Sequence, residues 1–174
     1  MNSALKWLGQ VFNHMRDGIT LSNAGFETNL ARVNSAASDI SDLSDADLKT
    51  SFAGLRQSMI AKPLAKTPKV EALAIVREAA SRTLSMRPYD VQMLAAAAML
   101  EDKCVEMQTG EGKTLAAAVT NCIRASGGHG VHVLTFNDYL AQRDAKWMAP
   151  LYHFLGMTVG HISQGMPSSE RRAA

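Results

Sequence analysis

The sequence predicts an α/β fold, in which a parallel sheet with flanking helices follows a helical N-terminal segment. Up to about residue 85, apolar residues recur at three- and four-residue spacing, which is typical of amphipathic helices. From Met86 onward, helical patterns alternate with three short runs that favour strands, the order expected of parallel strands joined by crossover helices. We therefore divide the chain into a helical segment, residues 1–85, and a second part, residues 86–174.

Composition and charge indicate a globular chain of one domain's size. The 174 residues are 47% hydrophobic and 20% charged, and the formal net charge is +2. Because the basic residues are dispersed, the sequence shows no strong nucleic-acid footprint. The longest apolar run, Met93–Leu100, is too short to cross a bilayer, and we find no signal peptide. Cys104 and Cys122 lack metal-ligand spacing and are expected to be reduced thiols in the core.

Two helices are predicted in the first part of the chain. Ser44, with Asp47 three residues on, is placed as the N-cap of the first helix. An amphipathic stripe follows in that helix: Leu48, Phe52, Leu55 and Met59. The two prolines of residues 61–69 indicate a linker. The second helix carries its apolar side chains on one face: Leu73, Val76, Ala80 and Leu84.

The second part alternates between helix and strand patterns. Pro88 opens an alanine-rich helix as a first-turn residue. The runs KCVEM, VHVLTF and MTVGHI, at residues 103–107, 131–136 and 157–162, are the three predicted strands. The helix before the last of them ends at Gly156, and Pro150 is expected to bend or divide it. The apolar side of this helix is predicted to consist of Leu140, Trp147, Leu151 and Phe154.

The stretch EMQTGEGKTLAAAV carries the pattern of a phosphate-binding loop, except that Met107 occupies the position of the first glycine. Gly110 and Gly112 allow the backbone to approach an anion closely, and the amides of the following helix start point at it. Lys113 is placed to reach the β- and γ-phosphates, and the Thr114 hydroxyl to hold Mg²⁺. The alternative is a glycine turn with a solvated lysine.

An aromatic residue and an amide, Tyr89 and Gln92, precede this lysine by about twenty positions. An amide both donates and accepts hydrogen bonds, which suits the edge of adenine and favours ATP over GTP. The alternative for Gln92 is an ordinary surface glutamine.

Residues 86–162 closely resemble the first nucleotide-binding domain of SecA, the family of bacterial preprotein translocase ATPases. The motifs that carry the resemblance are MRPYDVQML, EMQTGEGKTLAAAV, HVLTFNDYLAQRDAKWM and FLGMTVG, extended upstream by VREAASRTLSMRPYDVQ and LSDADL. The resemblance spans roughly residues 40–174 and implies a partial RecA-like, helicase-type parallel sheet. It makes residues 86–174 a partial P-loop nucleotide-binding domain that stops before the preprotein-binding domain. Pro88 and Ala95–Ala98 depart from the commonest family pattern, as in an accessory-type or divergent member.

The same resemblance implies an ATP site, with Mg²⁺ at Thr114 and no catalytic residue in this stretch. Gln92 corresponds to the adenine-reading glutamine, and Tyr89 stands where the family usually has phenylalanine. The implied nucleotide-binding residues are Met86, Tyr89, Gln92, Thr109, Gly110, Glu111, Gly112, Lys113 and Thr114.

A second motif, FNDYLAQRDA, matches the one that related helicases use near their polymer, which in this family is a polypeptide. Its polar residues are Asn137, Asp138, Tyr139, Arg143 and Asp144. The alternative for Arg143 and Asp144 is an exposed helical ion pair.

For the full-length protein, the resemblance implies ATP hydrolysis coupled to preprotein translocation through the SecYEG channel. It also implies a cytoplasmic protein, peripheral on the inner face of the cell membrane, with homodimer formation and no specific nucleic acid. The sequence contains no Asp-Glu-x-Asp motif and no second ATPase half. We therefore expect a partial motor or a degenerate stand-alone protein that hydrolyses ATP poorly by itself. Two other classes stay open: a fragment of a superfamily 2 nucleic-acid helicase, and a non-catalytic module that binds a partner.

Overall fold

The structure is a computed structural model that describes residues 24–61 and 69–174. The described residues form eight helices: α1 (Ala24–Ser35), α2 (Ala37–Ser41), α3 (Asp45–Ala61), α4 (Lys69–Leu84), α5 (Asp90–Met99), α6 (Lys113–Ala125), α7 (Asp138–Phe154) and α8 (Ser168–Ala173). The predicted linker falls mainly on residues 62–68, outside the described part. No helix in residues 24–61 or 69–174 is both long enough and apolar enough to cross a membrane.

The predicted start and buried face of α3 are confirmed. The Ser44 hydroxyl accepts a hydrogen bond from the backbone N–H of Asp47 at 3.2 Å and donates to the Asp47 carboxylate at 2.6 Å. This satisfies one of the amides that the first turn of a helix leaves without an internal partner. All four stripe residues are buried: Leu48, Phe52, Leu55 and Met59.

Helix α4 lies at the centre of the helical core. It packs against α1, α2, α3, α5, α6 and α7. Leu73, Val76 and Ala80 are buried as predicted, and Leu84 is partly buried against the same core. Alanines recur along the buried face of α4, and small side chains allow neighbouring helices to approach closely. The packing of α5 and α6 on α4 fixes the elements that carry the candidate site.

The predicted parallel sheet is wrong for the residues that the structure describes. The segments 103–107, 131–136 and 157–162 are non-helical, but none of them is assigned as a strand or pairs with another described segment. Val131, Val133 and residues 157–159 instead line a common cleft of about 400 Å³.

The physical reason is that side-chain pattern reports only one of the two requirements for a strand. Alternating and β-branched residues favour an extended backbone, but a strand also needs a neighbour whose N–H and C=O groups match its own. In the second segment the side chains face solvent, with Leu134 95% and Phe136 94% exposed. The side-chain pattern alone therefore did not produce strands in these three segments.

The predicted apolar face of α7 needs a correction. Leu151 is buried, but Trp147 is 46% exposed and Met148 takes the buried position beside it. The helix runs from Asp138 to Phe154 with Pro150 inside it, so the proline does not divide it. A proline in a helix removes one backbone hydrogen bond, and the packing of Met148 and Leu151 on the core stabilises the turns around it.

The two cysteines differ in environment. Cys122 is a core thiol as predicted, and its burial raises the pKa of the thiol. Cys104 is exposed, so the expectation that it lies in the core is wrong.

Candidate nucleotide-binding site

The glycine-rich loop leads from a non-helical segment, residues 103–107, directly into α6. Gly110 and Gly112 both have positive φ, at 91° and 80°, a region that glycine enters without steric cost. Gly112 is the N-cap of α6, and its carbonyl accepts hydrogen bonds from the N–H groups of Leu115 and Ala116. Lys113 and Thr114 form the first turn of the helix. The N–H groups of a helix start can bind an anion, so the first turn of α6 is a candidate position for a phosphate.

The charged side chains of the loop bond to the loop's own backbone. Lys113 is exposed, and its Nζ donates to the Gln108 carbonyl at 2.6 Å. The Glu111 carboxylate accepts from the Gln108 N–H at 2.6 Å. A bound phosphate would replace the Gln108 carbonyl as the partner of Lys113. Lys113 can make that exchange because its ammonium is at the surface on a flexible stem.

Gln92 joins the start of α5 to this loop. Its side chain is buried, its Nε2 donates to the Glu111 carbonyl at 2.8 Å, and its Oε1 accepts from the Tyr89 N–H at 2.9 Å. A Cβ added at Gly112 would overlap Gln92 Nε2, so the close approach of the two segments depends on glycine at this position. The structure therefore brings together four of the predicted residues: Gln92, Glu111, Gly112 and Lys113.

The remaining predicted residues surround this group. Tyr89 is the N-cap of α5, which begins at Asp90 rather than at Pro88, and its side chain is 74% exposed. Thr109 and Gly110 are exposed at the tip of the loop, and Thr114 is half-buried. Met86 packs partly against the hydrophobic core. An exposed aromatic ring beside a buried amide can stack on a base whose edge the amide reads.

The residues present fit a magnesium nucleotide. A Cβ added at Gly110 would meet nothing within 4 Å, so this part of the loop leaves room for a ligand beside its backbone. The described residues contain no group of three or more His, Cys, Asp or Glu suited to a metal ion. Mg²⁺ is commonly bound by one or two protein oxygens together with phosphates and water, and Thr114 offers such an oxygen.

The second predicted motif makes contacts within the protein. The Asn137 Oδ1 caps α7 by accepting from the Leu140 N–H at 2.9 Å, and the Asp138 carboxylate accepts from the Gln164 N–H at 2.6 Å. Arg143 pairs with Asp144 at 2.7 Å, as in the ion-pair alternative. Tyr139 is 69% exposed. A role near a polypeptide stays a prediction for this motif.

Sequence reasoning missed one residue next to the site, Arg77. It is the one charged side chain among the buried residues of the described chain, and it bonds to Pro88 and Asp90 on either side of Tyr89. An arginine on the buried face of an amphipathic helix was the available signal, because a buried charge requires partners.

Comparisons with known proteins agree with the motifs. The family model of the SecA DEAD-like domain matches residues 12–174. The chain is 46% identical over 142 residues to protein translocase subunit SecA of Syntrophus aciditrophicus, which covers 82% of this chain and 17% of that protein. It is 45% identical over 142 residues to the subunit of the same name from Alcanivorax borkumensis, covering 82% and 16%. It is 45% identical over 140 residues to the chloroplastic subunit SECA2 of Arabidopsis thaliana, covering 80% and 13%.

The match of the family model over most of the chain shows that this protein belongs to the SecA family. The chain spans about a sixth of the length of the curated relatives it matches.

Proposed function

We propose that this chain is the ATP-binding part of a SecA-type translocase motor. The observation that carries the proposal is the bond from Gln92 to the Glu111 carbonyl. Through this bond the Gln92 amide, which could read a base, lies against the loop that leads to Lys113 at the start of α6. A nucleotide has the two features that such a site would recognise at once, a base edge and a chain of phosphates.

In this proposal each part of the site has a separate task. Gln92 and Tyr89 select adenine, through hydrogen bonds to the base edge and through stacking. The backbone of Thr109 to Gly112 lies against the phosphates, and Lys113 provides the positive charge. Thr114 and the phosphates hold Mg²⁺, which neutralises phosphate charge when it is bound.

The family relationship supports the wider proposal. Relatives carry the name protein translocase subunit. For the full-length protein we therefore propose that ATP hydrolysis drives preproteins through the SecYEG channel. We place the protein in the cytoplasm and at the inner face of the cell membrane, with a homodimer as its assembly. The match to translocase subunits supports this function over a nucleic-acid helicase or a non-catalytic module.

The test is displacement of a fluorescent adenine nucleotide from the 174-residue chain by ATP and by GTP, with Mg²⁺ present. Lys113→Ala should weaken ATP binding by about 1.5–3 kcal/mol, which is roughly tenfold to a hundredfold, because a charge-assisted contact to phosphate is lost. Lys146→Ala, which removes an exposed lysine on α7, is the matched control and should bind as the parent does. Equal ATP affinity for the parent and Lys113→Ala would contradict the proposal.

A further inference from the structure

Arg77 is a buried arginine whose guanidinium connects three segments of the chain. It lies on α4, and 8% of its side chain is exposed. Nε donates to the Pro88 carbonyl at 2.9 Å, Nη1 to the Asn34 Oδ1 at 2.6 Å, and Nη2 to the Asp90 Oδ1 at 2.8 Å. The Asn34 amide also reaches the other oxygen of Asp90 at 3.5 Å. The guanidinium thus has a partner in each direction of its planar fork.

Two of these three partners lie on either side of Tyr89. Pro88 is fully buried, so its carbonyl requires a hydrogen-bond partner inside the protein, and Arg77 supplies it. Asp90 is the first residue of α5. By holding the residue before Tyr89 and the residue after it, Arg77 restricts the backbone at Tyr89 itself.

The restriction extends to Gln92 through the first turn of α5. The Tyr89 N–H donates to Gln92 Oε1, and the Tyr89 carbonyl accepts from the Gln92 N–H at 3.0 Å. The other end of the Gln92 amide bonds to the loop at Glu111. A chain of hydrogen bonds therefore leads from the buried guanidinium to the amide that faces the phosphate loop.

We propose that Arg77 is a positioning residue for base recognition, which sets the placement of Tyr89 and Gln92 relative to the phosphate loop. This inference rests on the proposed function, since it assigns to Arg77 the selection of adenine at that site. Arg77 does not contact the ligand. Its effect is on the choice of base, while the phosphates are held by groups at the start of α6.

Lysine cannot replace arginine in this role. A lysine keeps the positive charge and much of the aliphatic stem, but its ammonium is a compact donor and does not match three acceptors in one plane. Arg77→Lys should therefore preserve the fold and loosen the Pro88–Asp90 turn.

The same helix offers a matched control. Arg82 also makes three kinds of contact, to Asp45 at 2.8 Å, to Glu78 at 2.9 Å and to the Ser41 carbonyl at 3.1 Å. None of these partners lies in residues 86–92 or in the loop. Arg82→Lys makes the same chemical change in α4. Its partner Glu78 also pairs with Arg87 at 3.3 Å through the other carboxylate oxygen, and the variant removes neither residue of that pair and none of the bonds of Arg77.

The experiment measures the affinity of the 174-residue chain for ATP, GTP and inorganic tripolyphosphate by calorimetry, with the thermal unfolding midpoint recorded for each variant. Arg77→Lys should lower the preference for ATP over GTP about tenfold and leave tripolyphosphate binding within about twofold of the parent. Arg82→Lys should leave the preference for ATP over GTP unchanged, even if it lowers the thermal unfolding midpoint as much as Arg77→Lys does.

An unchanged ATP preference in a folded Arg77→Lys protein would overturn the proposal, because Arg77 would then be a structural ion pair only. If Arg77→Lys fails to fold, Asn34→Ala decides, since Asn34 is exposed and its loss removes one arm of the network. It should lower the ATP preference about twofold to threefold, and no change would overturn the proposal. A parent protein that binds neither ATP nor GTP would instead contradict the proposed function.

Discussion

The two ends of the candidate site are held in different ways. At the base end, the turn around Tyr89 is fixed to the helical core by the buried Arg77, which bonds to residues on both of its sides. At the phosphate end, the side chains of Glu111 and Lys113 bond to Gln108 within the loop itself. The base end is therefore anchored in the helical core, and the phosphate end is held mainly by contacts among the residues of the loop.

The difference indicates how each end would contribute to binding. A group that is already in place loses little conformational freedom when a ligand arrives, so the anchored turn at Tyr89 is ordered before a base binds. At the loop, Lys113 must leave the Gln108 carbonyl before it contacts a phosphate, so binding there includes a local rearrangement of this side chain. We expect base choice to depend on helix packing, and phosphate affinity to depend mainly on the residues of the loop.

Replacing Gln92, which links the two ends of the site, should have a large effect on ATP binding. Gln92→Ala removes the bonds of the amide to Tyr89 and Glu111 and also its proposed contact with the base. We expect ATP binding to weaken by about 1–3 kcal/mol, as for loss of a bidentate base contact. Binding of GTP should change little, because guanine does not match this amide. Competition titrations with both nucleotides give the values, and Gln142→Ala, an exposed glutamine on α7, is the control.

Equal losses for ATP and GTP in Gln92→Ala would show that the residue is a structural link between α5 and the loop and does not read the base.

Adding a methyl group at Gly112, where the loop contacts Gln92, should have a smaller effect, and this effect is on the stability of the protein. Gly112→Ala places a Cβ at positive φ and against Gln92 Nε2, and we expect the free energy of unfolding to fall by about 1–2 kcal/mol. Gly54→Ala is the matched control, because Gly54 lies inside α3 with nothing within 4 Å of an added Cβ. That change should stabilise the protein by about 0.5–1 kcal/mol.

Chemical denaturation of the two alanine variants and the parent checks the signs. If Gly112→Ala were as stable as Gly54→Ala, this result would contradict the close contact between Gly112 and Gln92.

Local signals in the sequence predicted the helical core well. The capping of α3 by Ser44 follows from residue type because it is formed within one helix, and the burial of Phe52 follows from the apolar spacing along that helix. Sheet pairing could not be predicted in the same way, because it depends on which distant backbone segment is available as a partner. Leu134, in a run typical of strands, is almost fully exposed.

In the candidate site, too, local contacts could be predicted from the sequence and long-range contacts could not. The approach of Lys113 to the loop backbone follows from the glycine spacing, because the residues are neighbours in sequence. The bond from Gln92 to Glu111 joins residues 19 apart, and that from Arg77 to Asn34 joins residues 43 apart. Contacts of this kind arise from helix packing, and neither periodicity nor composition identifies them.

In the proposed function, the loop at the start of α6 binds the phosphates of a nucleotide through Lys113, and the α5 turn binds its base. The most direct measurement is the affinity of ATP, ADP, AMP and adenosine for the parent chain and for Lys113→Ala. In the parent, affinity should rise from adenosine to ATP. In Lys113→Ala the advantage of ATP over AMP should shrink by about tenfold to a hundredfold, while adenosine binds as before. An ATP advantage over AMP that survives intact in Lys113→Ala would contradict the claim.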